Sequence, residues 1–313
     1  MSVVPPSPLP RHLHATLEGH KGAVHIVTYA KGAAKYVLSG GTDRTIRLWN
    51  PDTGAEIKIY KGHGYEVLSI AVAPDNASFA SSGGDRTAFL WDVQSGQTTR
   101  RFQGHTGKIN AVEFNPEASV LASGSYDQTV RLWDMKAHTR TPIQILNEAR
   151  DSITSINIST TEIITGSVDG HIRTYDLRKG QLRSDFLGHP VTSLQPTKDG
   201  STILVGTLDS TLRLLDTTSG TLLNSFTGHA NQSYRTKACF GFGEASVICG
   251  DEEGLVWSWD LVSGKPILSP SESKPPKVHA KVITWTEHHP LQNNEMVTAS
   301  ADGTVKIWRS APQ

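Results

Sequence analysis

Residues 104–134 read GHTGKINAVEFNPEASVLASGSYDQTVRLWD, and the order of residue types in this stretch decides the fold. After Gly104-His105, the apolar residues Ile109, Val112 and Phe114 mark one short strand. VLASGS (120–125) supplies a second, Asp127 sits in the tight turn that follows, and TVRLWD (129–134) is a third, ending at Trp133-Asp134. Just upstream, QTTRRF (97–102) has the form of a fourth strand closing the preceding unit. Four short strands separated by turn residues, with no helical periodicity, are the sequence form of one propeller blade.

The same pattern runs along the whole chain. A large apolar residue followed by a polar one ends seven successive units, at Trp49-Asn50, Trp91-Asp92, Trp133-Asp134, Tyr175-Asp176, Leu215-Asp216, Trp259-Asp260 and Trp308-Arg309, with spacings of 42, 42, 42, 40, 44 and 49 residues. Six residues before each mark stands an acid: Asp43, Asp85, Asp127, Asp169, Asp209, Glu253 and Asp302. A Gly-His pair opens five units, at His20, His63, His105, His189 and His229. The fourth unit has Glu148-Ala149-Arg150 in that place, and in the seventh the place falls in SESKPPKVHA (271–280). Repeats at this period cannot bury their faces alone, so the units must stack and the ring must close. The chain ends on a third strand, Val305–Trp308, while HLHATL (12–17) precedes the first Gly-His as a lone fourth strand. The expectation is an all-β, seven-bladed propeller closed by the N-terminal strand. Residues 1–11 are expected as a disordered Pro-rich tail, 12–309 as a single propeller domain and 310–313 as a second tail.

These units resemble the WD-repeat family over nearly the whole chain. What the resemblance implies is a buried hydrogen-bonded tetrad of His, Ser or Thr, Asp and Trp in each blade. Complete sets are His20, Ser39, Asp43, Trp49; His63, Ser81, Asp85, Trp91; and His105, Ser123, Asp127, Trp133. Blades four to seven depart from the pattern, since Tyr175 and Leu215 replace Trp, Val205 and Cys249 replace Ser or Thr, and Glu253 replaces Asp, so these blades are expected to be held less firmly.

Composition argues against chemistry of the chain's own. Thirty Lys and Arg balance thirty Asp and Glu, so no global field steers the chain to nucleic acid or an anionic membrane. Cys239 and Cys249 form no Cys-x-x-Cys pair, which excludes a disulfide framework or a thiol zinc module and fits a reducing, intracellular compartment. The first ten residues lack a basic n-region, and no apolar stretch reaches the ~18 residues of a membrane helix, so a soluble protein is expected. The repeating histidines lie one per blade and read as turn anchors that cannot converge on one ion. His288-His289, in EHHPLQNNE, reads as part of a solvated loop. Arg47, Arg131, Arg173, Arg213 and Lys306, each two residues before a mark, look like a basic ring but read better as stems packed between blades with their heads in water. No phosphate loop, nucleophile elbow or zinc helix is present, so no enzyme, no cofactor, no metal and no small-molecule substrate is expected.

Binding is expected instead on the loops at one end, where the turns entering the first strands meet those holding the acids. Candidate contacts are Tyr65 and Glu66, Lys108, Tyr126, Arg150 and Asp151, and Asn231, Gln232 and Tyr234. GHGYEVL (62–68), NEARDSITS (147–155), GSVDGHIRTYDLRKGQL (166–182) and LDSTLRLLD (208–216) closely resemble the mitogen-activated protein kinase organizer family of WD-repeat scaffolds, including the missing Gly-His of blade four. That resemblance implies spliceosomal factors in pre-mRNA splicing or MAP-kinase pathway components as protein partners, RNA contact only within a larger assembly, and a place in nucleus and cytoplasm. An alternative is a substrate receptor of a cullin ubiquitin ligase, because Tyr175-Asp176-Leu177-Arg178 resembles the motif by which some propellers dock the ligase adaptor, with Arg178 as the added contact. Ser269-Pro270 has the form of a site for a proline-directed kinase, beside Lys274 and Lys277.

Overall fold

The computed structural model describes residues 9–137, 139–268 and 273–310. Alternating apolar and polar residues in runs of about six, broken by turn residues, leave little but strand and turn. Among the described residues there is one single-turn 3₁₀ segment, Phe242–Glu244, and no α-helix. The strands form seven antiparallel sheets, six of four strands and one of three. Blade one runs from the axis outwards as Val24–Tyr29, Val37–Gly41, Thr45–Trp49 and Glu56–Lys61, and the others repeat this order. Blade seven consists of Ile283–His288, Glu295–Ser300, Val305–Arg309 and, outermost, His12–Leu17. The last pairing is antiparallel, with Leu17 opposite Val305 and His12 opposite Arg309, so the first strand of the chain clasps the ring shut as its pattern predicted.

The core lies between blades. One cluster joins Leu17, Val297, Val305 and Ile307 of blade seven to Val24, Val27 and Trp49 of blade one. Trp49, Trp91, Trp133 and Trp259 are among the largest fully buried side chains, each a wide apolar plate that one blade presents to its neighbour. Blades approach closely because a glycine in the second strand leaves room for the next blade's first apolar residue. A Cβ on Gly124 would lie 2.5 Å from the Cγ2 of Ile153, and one on Gly250 would lie 2.2 Å from that of Ile283.

Three features differ from the sequence expectation. Residues 9–11 are not tail. Leu9 is buried among Cys239, Ile248, Val256, Ile283, Met296 and Trp308, and Arg11 donates to the carbonyl of Ile267 at 3.3 Å. The segment is drawn in because it covers apolar surface between blades six and seven.

Blade six, expected to carry a fourth strand, has none among the described residues. Its outer edge, Val256–Asp260, is met by single bridges to Pro266 at Trp259 and to Lys277 at Leu255, on either side of the extra residues of this unit. Proline lacks the N–H that a regular ladder needs.

Blade four slips by one residue. In blades one, two and five the pairing of the third and fourth strands skips a residue near the mark, and Tyr60, Phe102 and Phe226 turn inward. In blade four the pairing is continuous from Asp176–Gln181 to His171–Phe186, and Phe186 faces out, 67% exposed. A one-residue shift moves a strand's side chains to the other face. Leu187 packs against the cluster around Ile172 and Leu215 instead.

Candidate functional site

The loops that carry Tyr65, Glu66, Lys108 and Tyr126 are held by the tetrads beneath them in blades two and three. In blade two, His63 Nδ1 lies 2.7 Å from Asp85, His63 Nε2 lies 2.7 Å from Ser81 Oγ, and the Trp91 indole donates to the same Oγ at 2.8 Å. Blades one and three match, with distances of 2.8–3.0 Å between His20, Asp43, Ser39 and Trp49 and between His105, Asp127, Ser123 and Trp133. One proton order satisfies the whole chain: Trp donates to Ser, Ser to the Nε2 of a neutral His, and the Nδ1–H to the carboxylate. Burial is the main force holding the His105 imidazole below its ordinary pKa and favours that neutral form, against the pull of Asp127 toward the cation. Burial also disfavours the Asp127 carboxylate, yet hydrogen bonds from Thr129, His105 and the Thr106 backbone outweigh it and hold its pKa near 2.

Blade seven is corrected by the structure, for it holds a complete tetrad. His279 bonds Asp302 at 2.9 Å and Thr298 at 2.8 Å, and Trp308 donates to Thr298 at 2.9 Å. The signal was present in the sequence, because His279 stands 29 residues before Trp308, as His20 stands before Trp49; only its glycine is replaced, by Val278.

Two of the five Gly-His histidines do not anchor a turn. His189 is half exposed, 3.7 Å from Asp209. His229 is buried against Trp259 with neither ring nitrogen hydrogen-bonded, and burial lowers its pKa to about 4.

Arginine takes over where histidine is missing or displaced. Arg173 in blade four donates to Ser167 at 2.8 Å and to the two oxygens of Asp169 at 3.2 and 2.7 Å. Arg213 in blade five bonds Thr207 and Asp209 in the same way. The heads of these arginines therefore turn inward to the turn acid and not outward to water; Arg173 is buried.

In blade six Glu253 is exposed, and Asp251 does the work expected of it. Asp251 accepts the backbone N–H of Glu253 and Leu255 at 3.0 and 2.8 Å, and the Trp257 indole at 2.8 Å.

Over these anchors most candidate contacts gather at one end of the propeller. Tyr65 is 61% exposed, Tyr126 60% and Tyr234 53%. Tyr65 lies beside Gly84 at the turn before Asp85. The Tyr126 N–H donates to the Lys108 carbonyl at 2.8 Å, and the Lys108 ammonium stands 5.9 Å from the Tyr126 ring. Arg150 is exposed, its N–H bonded to Asp169 at 2.8 Å. Asp151 is half buried and accepts the Ser152 N–H, and Glu66 is half buried with its carbonyl accepting from Gly84. Gln232 is exposed, and the N–H groups of Gln232, Ser233 and Tyr234 converge on one oxygen of Glu252. Asn231 is no contact residue: it is fully buried and its amide donates to Thr236 at 2.9 Å. Arg178 is exposed at the other end of its blade. Ser269-Pro270 lies outside the described residues.

The structure also shows an axial funnel of about 550 Å³ that the sequence reading did not single out. At the loop face Arg235 crosses it, bonding the carbonyls of Asn110 in blade three at 2.8 Å and Thr192 in blade five at 3.3 Å. Deeper, Lys237 donates to the Leu194 carbonyl, and burial lowers its pKa to about 8. Glu287 and His288 line the funnel and His289 is buried edge-on to Tyr29, so EHHPLQNNE begins as an inner strand, not a solvated loop. Burial raises the pKa of both Glu113 and Glu287. Among the described residues, no group of three or more His, Cys, Asp or Glu is arranged to hold a metal.

Comparison with known proteins places this architecture. Residues 34–309 match the family model described as IFT122 first beta-propeller, and residues 11–50 match that of the WD domain, G-beta repeat. WD repeat domain-containing protein 83 of Xenopus laevis is 51% identical over 99% of this chain and 98% of its own length. The human protein of that name is 43% identical over 97% of this chain and 94% of its own. An uncharacterized WD repeat-containing protein of Schizosaccharomyces pombe is 40% identical over 92% of this chain and 95% of its own. A seven-bladed ring with four complete tetrads and end-to-end identity at this level leaves one assignment: the chain belongs to the WD-repeat β-propeller family, as a homologue of WD repeat domain-containing protein 83.

Proposed function

We propose that this chain is a non-catalytic scaffold that holds proteins together in a spliceosome-associated complex acting in pre-mRNA splicing, in a MAP-kinase cascade, or in both, and that it works in nucleus and cytoplasm. The observation that carries the reading is the loop face: Tyr65, Tyr126, Tyr234, Lys108 and Arg150 stand exposed at one end, over turns fixed by buried hydrogen bonds. Exposed tyrosine and arginine on a fixed scaffold are the residues that dominate protein interfaces. The end-to-end likeness of the organizer-like segments, including the histidine missing from blade four, supports the choice of complexes.

The test is affinity purification of the tagged chain with mass spectrometry and RNA sequencing. Recovery of splicing factors with small nuclear RNAs, or of kinase-cascade components, each reduced by Tyr65→Ala with Tyr126→Ala, is the expected result. Recovery of neither overturns the reading. The ligase alternative keeps one supporting observation, since Arg178 is exposed while Asp176 caps the turn by accepting the Arg178 and Lys179 N–H groups. It requires adaptor and cullin to co-purify and to be lost on Arg178→Ala.

A further inference from the structure

The mouth of the axial funnel at the loop face carries positive charge that the fold does not neutralise. Arg235 donates from Nε and Nη1 to the carbonyls of Thr192 and Asn110, and its Nη2 donates to nothing among the described residues. No carboxylate pairs with it there. Burial alone lowers its pKa, to about 10, which leaves the guanidinium charged at neutral pH. Lys108 lines the same mouth, exposed, its ammonium 5.9 Å from the Tyr126 ring and in no salt bridge among the described residues. His25 lines it too, with neither ring nitrogen hydrogen-bonded among the described residues. Burial chiefly lowers the His25 pKa, Arg235 and Lys108 lower it further, and Glu66 is the one acid that opposes them. Two buried hydroxyls of the lining, Ser155 Oγ and Thr192 Oγ1, have no hydrogen-bond partner among the described residues. The funnel's other strong acids do not answer this charge, since Glu113 and Glu287 stand toward the far ends of the strands Ile109–Phe114 and Ile283–His288 and have Lys31 and Lys237 beside them.

The chemistry left unmet defines the ligand. A cation held in a partly desolvated place without a counter-charge is costly, and an oxyanion that accepts its free N–H groups offsets the cost. The neutral His25 ring and the Thr192 hydroxyl add donors of the same sense. The mouth lies within the loop face already read as the partner surface, because Lys108 stands against Tyr126 and Arg235 follows the exposed Tyr234 directly. Two cations at one point, in a chain whose formal net charge is zero, do not make the basic stripe that a nucleic-acid backbone requires. We propose that a protein partner on the loop face sets an oxyanion side chain, a phosphoserine or an acidic residue, into this mouth, where Arg235 Nη2 and the Lys108 ammonium hold it and His25 and Thr192 donate to it. This deepens the loop-face reading and rests on it: the exposed tyrosines supply contact area, and the mouth selects the charge of what they contact.

The probes are three glycine pentapeptides with phosphoserine, glutamate or serine at the centre, titrated into the full chain and followed through the His25 imidazole resonances. The phosphoserine and glutamate peptides are expected to bind saturably and to raise the His25 pKa, because a bound anion offsets Arg235 and Lys108; the serine peptide is expected to do neither. Tighter binding of phosphoserine assigns the mouth to a phosphate, and equal or tighter binding of glutamate assigns it to an acidic residue. Lys108→Ala is expected to weaken binding about tenfold, as loss of a charge-assisted hydrogen bond implies, and to leave the melting temperature unchanged, since this side chain is exposed. Arg235→Gln is expected to weaken it at least as much. Lys198→Ala, past the other end of the strand Val191–Pro196 that Thr192 begins, leaves the affinity unaltered. Binding by neither anionic peptide, equal binding by the serine peptide, binding that survives Lys108→Ala and Arg235→Gln, or displacement by a uridylate hexamer overturns the proposal. Partner recovery that is lost with Tyr65→Ala and Tyr126→Ala but kept with Lys108→Ala and Arg235→Gln overturns it while leaving the loop-face reading in place.

Discussion

The guanidinium of Arg173 stands 2.7 Å from the carboxylate of Asp169 and donates to Ser167, taking the part that His105 plays toward Asp127 in the blade before. One blade thus replaces a neutral relay with a buried ion pair reached from the other side of the turn. Burial disfavours the Asp169 carboxylate, but the Arg173 hydrogen bonds hold its pKa well below the usual range. Removing one partner of such a pair leaves an uncompensated charge, so Arg173→Ala is expected to cost about 3–5 kcal/mol in urea unfolding. Arg47→Ala, whose head lies 3.6 Å from an Asp43 already bonded by His20, is expected to cost clearly less.

Blade six offers a contrast between position and geometry. Glu253 stands at the repeat position yet is exposed, whereas Asp251 collects three N–H donors. Glu253→Ala is expected to change stability by no more than about 0.5 kcal/mol. Asp251→Ala leaves the Trp257 indole and two backbone groups without their acceptor and is expected to cost about 1–3 kcal/mol.

The slipped strand of blade four predicts opposite outcomes for two phenylalanines at the same repeat position. Phe102→Ala opens a cavity between blades two and three and is expected to cost about 3–5 kcal/mol. Phe186→Ser replaces an exposed ring and is expected to be within about 0.5 kcal/mol of the parent.

His229 makes stability depend on pH. Its folded pKa of about 4 lies below the 6.5 of the free side chain, so the unfolded chain binds the proton more readily between these values. Stability from this group is full above pH 6.5 and falls as the pH drops toward 4. His229→Leu is expected to reduce the difference in melting temperature between pH 7 and pH 5, measured by calorimetry.

Closure is tested at the amino end. Deletion of residues 1–17 removes the fourth strand of blade seven together with Leu9 and is expected to lower the melting temperature by on the order of 10 °C. Leu9→Ala alone is expected to cost about 2 kcal/mol.

The repeat made the ring legible from sequence, because the marks, turn acids and Gly-His pairs report local geometry that each blade must satisfy by itself. Blade count, the closing strand and the tetrads of blades one to three follow from them. What escaped is set by contacts between blades or by small changes of register. His279 was hidden by the loss of its glycine partner and by the residues inserted before it. Asp251 lies two positions off the repeat, and nothing local announces that its carboxylate, and not that of Glu253, turns inward. The exposure of Phe186 depends on a bulge that is absent, which a pattern of residue types does not record. Asn231 reads as a polar loop residue and is buried because Thr236 and Ser210 meet it from within. The funnel escaped because its wall is assembled from the innermost strands of several blades, scattered over most of the chain.

The pairing of His12–Leu17 with Val305–Arg309 has a consequence for how the molecule is made. A ribosome delivers the amino end first, so this strand waits for a mate synthesised nearly three hundred residues later. At ordinary elongation rates that interval is on the order of tens of seconds. During it, successive blades can assemble on one another while the growing arc keeps two raw flanks, and only the arrival of Val305–Arg309 lets the circle lock. Closure of this scaffold is therefore decided late, by the meeting of an early strand with one made long after it.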